Sequence, residues 1–164
     1  KLAGEKAIAE SCRQHIILRT AWVFGALGNN FVKTMLRLGR ERDSLGVVDD
    51  QRGGPTYAGD IAAAIITMIQ GMPRESFQDW GVYHFSGFPY VSWFGFASSI
   101  FAEAEKQGLL SSPPVLTALS SEQYPTPAER PKNSCLDGRN ITRVFGIEPS
   151  NWPGALKQLA NYID

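Results

Sequence analysis

Apolar positions along this chain change period repeatedly, and each change separates one element from the next. In residues 1–13, Leu2, Ile8 and Cys12 fall broadly on one side while Glu5, Lys6 and Glu10 take the others, which predicts a helix. Ile16-Ile17-Leu18 is a short run rich in β-branched residues, the pattern of a strand buried in a parallel sheet. The two read as half of a βαβ repeat whose preceding strand lies before Lys1. Residues 21–30 form a loop rich in glycine and aromatics, ending in Asn29-Asn30 where a helix N-cap is expected.

Phe31, Met35 and Leu38 then share one face of a helix over residues 31–42. Residues 45–48 suit a strand, and 49–56 are polar and turn-rich. Residues 60–69 are apolar nearly all round, which predicts a buried helix closed by Gly71-Met72-Pro73. A strand over 82–85 ends at Gly87, and a long helix over 93–107 is stopped by Gly108 in the C′ position. Residues 113–119 are strand-like, whereas 124–131 hold three prolines and read as an extended surface segment. Asp137 caps a short helix ending at Gly146, and the last helix follows Ser150-Asn151 with Pro153 in its first turn. Helices alternate with short strands and no repeat or heptad appears, so the fold class is α/β.

Length and composition narrow the function classes. A chain of 164 residues, 43% hydrophobic, makes one domain or the larger part of a two-lobed one. Lys plus Arg and Asp plus Glu number 16 each, so there is no basic field for nucleic acid. Cys12 and Cys135 have neither metal-ligand spacing nor a disulfide framework, which points to a reducing, cytoplasmic compartment. No run approaches a membrane span and no signal peptide is visible. A start at Lys1 rather than methionine reads as a piece of a longer protein.

Most chemistry-bearing residues have an ordinary structural reading. His15 and His84 lack ligand partners at zinc spacing, and Asp49-Asp50 marks a turn more readily than a cation site. Ser98-Ser99 has no catalytic histidine near it, and Gly53-Gly54-Pro55 lacks the pattern of a phosphate loop. Two features stand apart. Arg19 follows an apolar strand directly, and in open α/β sheets ligands bind at the carboxyl ends of strands. Ala128-Glu129-Arg130-Pro131-Lys132-Asn133-Ser134 sets two cations on a proline-stiffened segment that could face a phosphate.

Several runs, in order along nearly the whole chain, resemble one family. Lys1-Leu2-Ala3-Gly4-Glu5-Lys6 is similar to the stretch that opens with the catalytic lysine of extended short-chain dehydrogenases. Leu18-Arg19-Thr20-Ala21-Trp22-Val23-Phe24-Gly25, Gly28-Asn29-Asn30-Phe31 and Lys33-Thr34-Met35 follow it. Asp50-Gln51-Arg52-Gly53-Gly54-Pro55-Thr56 and Tyr124-Pro125-Thr126-Pro127-Ala128-Glu129-Arg130-Pro131-Lys132-Asn133-Ser134 complete the set. All resemble segments of the C-terminal portion of dTDP-4-dehydrorhamnose reductases.

That resemblance implies an architecture. Residues 1–30 would be a remnant of the dinucleotide-binding domain. Residues 31–164 would be mainly the substrate-binding lobe, with a strand and helix from about 60–87 returning to the Rossmann-type parallel sheet. It also implies a reaction, in which NADPH or NADH reduces the C4 ketone of dTDP-4-dehydro-β-L-rhamnose to dTDP-β-L-rhamnose. Lys1 is the implied catalytic and cofactor-ribose residue, beside a tyrosine about one helical turn before it. Trp22 would pack an aromatic face on the sugar. Arg130 would meet the dTDP pyrophosphate, and Asn30 and Gln51 would shape the substrate site. The cofactor's glycine-rich loop would lie before Lys1. A homodimer, and Mg²⁺ at its interface with no ligands assigned here, are further implications.

Two other classes stay open on sequence. The regulatory β subunit of methionine adenosyltransferase, a non-catalytic relative that binds a partner, shares the Lys-Leu-x-Gly-Glu and Arg-Pro-x-Asn runs. The Tyr-Pro-Thr-Pro-Ala run and the setting of Trp22 favour the reductases over it. A small nucleotide-binding module made of the substrate lobe alone is the other.

Overall fold

The computed structural model describes every residue except Arg74, Glu75, Glu129, Ile163 and Asp164. Its first half runs α1 (Leu2–Ser11), β1 (Ile16–Arg19), β2 (Val23–Phe24), α2 (Phe31–Glu41), β3 (Ser44–Val48), β4 (Arg52–Gly53), β5 (Thr56–Tyr57) and α3 (Ala58–Gln70). The second half continues with β6 (Gly81–His84), β7 (Val91–Ser92), α4 (Trp93–Lys106), β8 (Val115–Leu119), β9 (Asn133–Ser134), α5 (Arg139–Phe145) and α6 (Trp152–Leu156).

Local chemistry sets the helix ends much as the sequence predicts. Asn30 Oδ1 accepts from the Lys33 amide at 3.2 Å to cap α2, and Ser92 Oγ accepts from Gly95 at 3.0 Å to cap α4. Asn151 Oδ1 accepts from Gly154 at 3.1 Å to cap α6, whose first turn holds Pro153. Gly108 and Gly146 take φ of 69° and 66°, a left-handed turn that ends α4 and α5 at little cost for glycine. Asp137 bonds the Arg139 amide at 3.0 Å, one residue ahead of Gly138, which holds the cap position itself.

The strands pair in small sets. β1 lies parallel to β6, β2 to β5 and β3 to β8, while β4 sits between antiparallel β7 and parallel β9. Parallel pairing needs a crossover, and α2, α3 and α4 fall within those connections, which makes the chain α/β. β2, β4, β5 and β9 are two residues long, too short for any periodicity to reveal. β2 and β4 form inside stretches the sequence marks as loops, and β5 and β9 at or just beyond the ends of such stretches, because partners distant in sequence satisfy their backbone groups.

Two cores result. The larger joins α2, β3, α4 and α6 through Val32, Leu36, Leu45, Phe96, Ile100 and Leu156. The smaller joins α3, β6 and α5 through Ala64, Met68, Tyr83 and Ile141, with Ile16 and Leu18 of β1 packed against it. One expectation fails here: α3 is not a buried helix. Only Ala64 and Met68 are buried, while Ile65, Ile66 and Ile69 are 44%, 55% and 63% exposed. β6 and α5 cover one side of α3, and no layer among the described residues covers the other. α1 likewise buries no residue, and Leu2 and Ile8 are exposed.

The cores meet where two backbone segments cross. Gly54 and Gly87 approach so closely that a Cβ on Gly54 would overlap the Gly87 carbonyl, and one on Gly87 the Pro55 carbonyl. Around the crossing, Thr56 Oγ1 lies 2.6 Å from the Ala21 carbonyl and accepts from the Gly87 amide at 3.3 Å. Ser150 Oγ accepts from the Tyr57 amide at 3.1 Å and donates to Asp60 at 2.6 Å.

Two outcomes are expected. Gly87→Ala drives a Cβ into the Pro55 carbonyl, so it lowers the stability of the full-length protein by about 3 kcal/mol, read from the denaturant midpoint. Residues 1–164 expressed alone self-associate through the exposed isoleucines of α3 and the open edges of the β1–β6 pair. A monodisperse monomer by size exclusion with light scattering contradicts this.

Candidate functional site

Helix α1 and strand β1 are tied at one point. Arg19 sends Nε and Nη2 to the Glu5 carboxylate, the Nη2 contact being 2.5 Å. The hydrogen bond from Arg19 holds the Glu5 carboxyl below the usual carboxylate range, and Glu5 raises Arg19 in return. Arg19 therefore serves as a clamp between α1 and β1, with Nε and Nη2 of its guanidinium committed to Glu5.

The clamp also shapes the surroundings of Lys1. Lys1 and Glu5 are one helical turn apart, a spacing at which they would ordinarily pair. Arg19 occupies the carboxylate instead, and Lys1 is exposed with no ion pair among the described residues.

Beyond Arg19 the chain turns through Thr20-Ala21 into Trp22, whose φ of 50° is left-handed and unusual for a bulky residue. The Trp22 indole stacks on Trp93, with ring centroids 3.5 Å apart and planes 11° from parallel. A Cβ on Gly53 would lie 2.6 Å from Trp22 Cε2, 2.8 Å from Nε1 and 3.0 Å from Cδ2. Three ring atoms at such similar distances place Gly53 over the indole face. It is the face opposite Trp93, because a Cβ on Trp93's side would fall inside the 3.5 Å gap between the rings. Both faces of Trp22 are thus covered at their centres. The expected use of an open aromatic face against a sugar does not fit this arrangement; the indole rim remains.

Trp22, Gln51 and the segment of Arg130 converge on β4 and its neighbours. Gln51 Nε2 donates to Ser121 Oγ at 2.9 Å, just before β4 begins. Asp50 accepts from the Ser121 hydroxyl at 2.6 Å and amide at 2.9 Å, and faces Lys132 at 3.8 Å. These contacts, the hydroxyl's first, lower the Asp50 carboxyl. The Arg52 amide donates to the Lys132 carbonyl at 2.8 Å, which seats residues 132–134 against β4. Arg130 itself is exposed, and Glu129 of that segment lies outside the described residues. Asn30 stands apart: it caps α2 and donates to the Gly25 carbonyl at 2.7 Å, an architectural employment for both ends of its amide.

Ser121 is a residue the sequence reading missed. Its signal was the Ser120-to-Gln123 capping box around it, which marks a fixed turn but not its long-range partners.

Residues 1–164 match the family described as the RmlD substrate binding domain. The chain belongs to that family. It is 49% identical, over its whole length, to the dTDP-4-dehydrorhamnose reductase of Aggregatibacter actinomycetemcomitans, of which it covers 56%. With the same-named protein of Escherichia coli K12 the identity is 40%, over 99% of this chain and 54% of that one. Among solved structures, a dTDP-4-dehydrorhamnose reductase from Bacillus anthracis in complex with NADP is similar at TM-score 0.82 and 37% identity, covering 96% of this chain and 52% of that one. One from Clostridium acetobutylicum aligns at 0.84 and 34%, over 98% and 53%. The chain spans about half the length of the relatives it matches.

No group of three or more His, Cys, Asp or Glu is clustered among the described residues.

The Glu5–Arg19 clamp has a pH signature. A carboxyl lowered in the fold adds stability that is complete above its unfolded value, 4.5 for a glutamate, and is lost as pH falls through the lowered one. Urea midpoints of the full-length protein and Glu5→Gln should differ at neutral pH, with the variant lower, and converge in acid. Parallel curves at every pH would remove the clamp as the cause.

Proposed function

We propose that the full-length protein is an NADPH- or NADH-dependent reductase that converts dTDP-4-dehydro-β-L-rhamnose to dTDP-β-L-rhamnose in the cytoplasm. The observation that carries this reading is the unbroken match of residues 1–164 to the family, at 49% identity with a reductase of that name. In this reading residues 1–30 and about 60–87 extend the dinucleotide-binding sheet, and the rest forms the lobe that holds the sugar nucleotide.

The chemistry requires that an alkoxide developing at C4 be protonated on one side while reduction proceeds from the other. The nicotinamide cofactor, when bound, supplies the hydride. A tyrosine about one helical turn before Lys1 would give the proton, and a neighbouring ammonium would make its phenolate accessible near neutral pH. Lys1 is that ammonium, and it also fits a hydrogen bond to the nicotinamide ribose. A cation at the N-cap of a helix works against the helix dipole, a cost with no structural return among the described contacts. The clamp supports this role, since Arg19 keeps the Glu5 carboxylate from neutralising Lys1.

Trp22 would line the sugar pocket by its rim, with Gln51 and Ser121 fixing the adjoining wall. Arg130, exposed on its extended segment, would reach the pyrophosphate.

Adding dTDP-4-dehydrorhamnose to the full-length protein with NADPH should give substrate-dependent loss of NADPH absorbance. Lys1→Met should lower kcat about 100-fold or more. Intact NADPH despite measurable cofactor binding would replace the reductase with a non-catalytic, partner-binding relative. dTDP bound by residues 1–164 alone would instead favour the nucleotide-binding module.

A further inference from the structure

Trp93 takes no part in the reaction as proposed, yet it controls the one aromatic side chain assigned to the sugar. It is the first residue of α4, fixed in place by Ser92. Ser92 Oγ accepts from Gly95 at 3.0 Å to cap the helix and donates to Asp49 Oδ1 at 2.5 Å, which ties the helix start to the turn after β3. Phe31 packs on Trp93 with ring centroids 4.6 Å apart, and Phe31 in turn stacks on the fully buried Phe96. The Trp93 ring is thus rigidly backed by the larger core.

On that backing lies Trp22, held in a left-handed backbone conformation that costs on the order of 1 kcal/mol for a residue with a Cβ. Such a conformation persists only where the surroundings over-determine it. Here they do, with Trp93 on one indole face and Gly53 on the other. What the sandwich leaves accessible is the indole rim, and the rim carries one polar group. Trp22 Nε1–H has no acceptor among the described residues, and it is not among the enclosed, unpartnered polar atoms, where Tyr162 Oη is found. By contrast, the Trp152 Nε1–H donates to the Pro89 carbonyl at 2.9 Å.

We propose that Trp93 is a positioning residue that, with Gly53, holds the Trp22 indole edge-on, so that Trp22 Nε1–H donates a hydrogen bond to an oxygen of the dTDP-sugar. This rests on the reductase reading. It assigns Trp22 a directional, polar role in place of face stacking, and it makes the donor's direction depend on a residue that never touches the substrate. A fixed donor discriminates between sugars by the position of one oxygen, which a flat aromatic platform does not.

The experiment is a titration of the ¹⁵N-labelled full-length protein with dTDP-rhamnose, following the indole N–H resonances, alongside steady-state kinetics. The resonance that Trp22→Phe removes belongs to Trp22. It should move downfield as the sugar nucleotide saturates, while the Trp152 resonance stays put. Trp93→Leu should shift that resonance in the free protein and abolish its response, and should raise KM for dTDP-4-dehydrorhamnose about tenfold with kcat held within about twofold. Trp93→Phe keeps a ring on the stack and should restore most of KM, and it guards against loss of fold in the leucine variant. Trp22→Phe, with a ring but no N–H, should raise KM as much as Trp93→Leu. An enzyme that turns over with an unmoved Trp22 resonance, or with unchanged KM in Trp93→Leu, overturns the assignment and leaves the reductase reading standing. A wild-type protein that consumes no NADPH takes down both.

Discussion

The crossing of Gly54-Pro55 over Gly87 is the constraint on which the rest depends. Two backbones without side chains at the contact come close enough that Thr56 and Ser150, both buried, can serve amides and carbonyls from opposite sides. Buried hydroxyls are costly unless bonded, so the crossing fixes its own geometry: the partners must be where they are or the groups go unpaired. It sets β5 beside β2, and α3 beside the last helices, from a single point.

From that point the site is assembled indirectly. β2 follows Trp22 immediately, and β4 precedes the crossing, so fixing β2 against β5 also fixes Trp22 over Gly53. α4 then supplies Trp93 from the far side of the indole. On the other flank, the Glu5–Arg19 clamp sets the helix bearing Lys1 against the strand that leads into Trp22. The polar wall of Asp50, Gln51 and Ser121 is tied to the same β4. Each element of the site is held by contacts with its neighbour rather than by one shared pocket. The 450 Å³ cavity at the opposite, amino-terminal ends of β3 and β8 is lined by residues such as Arg40, Arg42 and Ser112, none of which the site uses.

The exposed apolar surface has the same logic seen from outside. α3 turns apolar residues outward because one side of it is covered and the other is not, and α1 buries no residue at all. The proposed architecture, in which these elements extend a dinucleotide-binding sheet, accounts for that asymmetry by the half of the relatives' length that lies outside this chain.

The sequence by itself determined the α/β class, most long elements and several of their ends, because periodicity and capping are local: Asn30, Gly108, Gly146 and Pro153 act within a few residues of themselves. It also determined the family, whose runs are contiguous. Only the tertiary structure decided the two-residue strands, since β2, β4, β5 and β9 exist through partners remote in sequence. Only it decided that Arg19 is a clamp and that α3 is half-covered, because occupancy of a side chain or a face depends on what arrives from elsewhere. The same holds for Trp22. Its residue type suggested a platform, but the arrival of Trp93 and Gly53 on its two faces, from distant positions in the chain, left it only an edge.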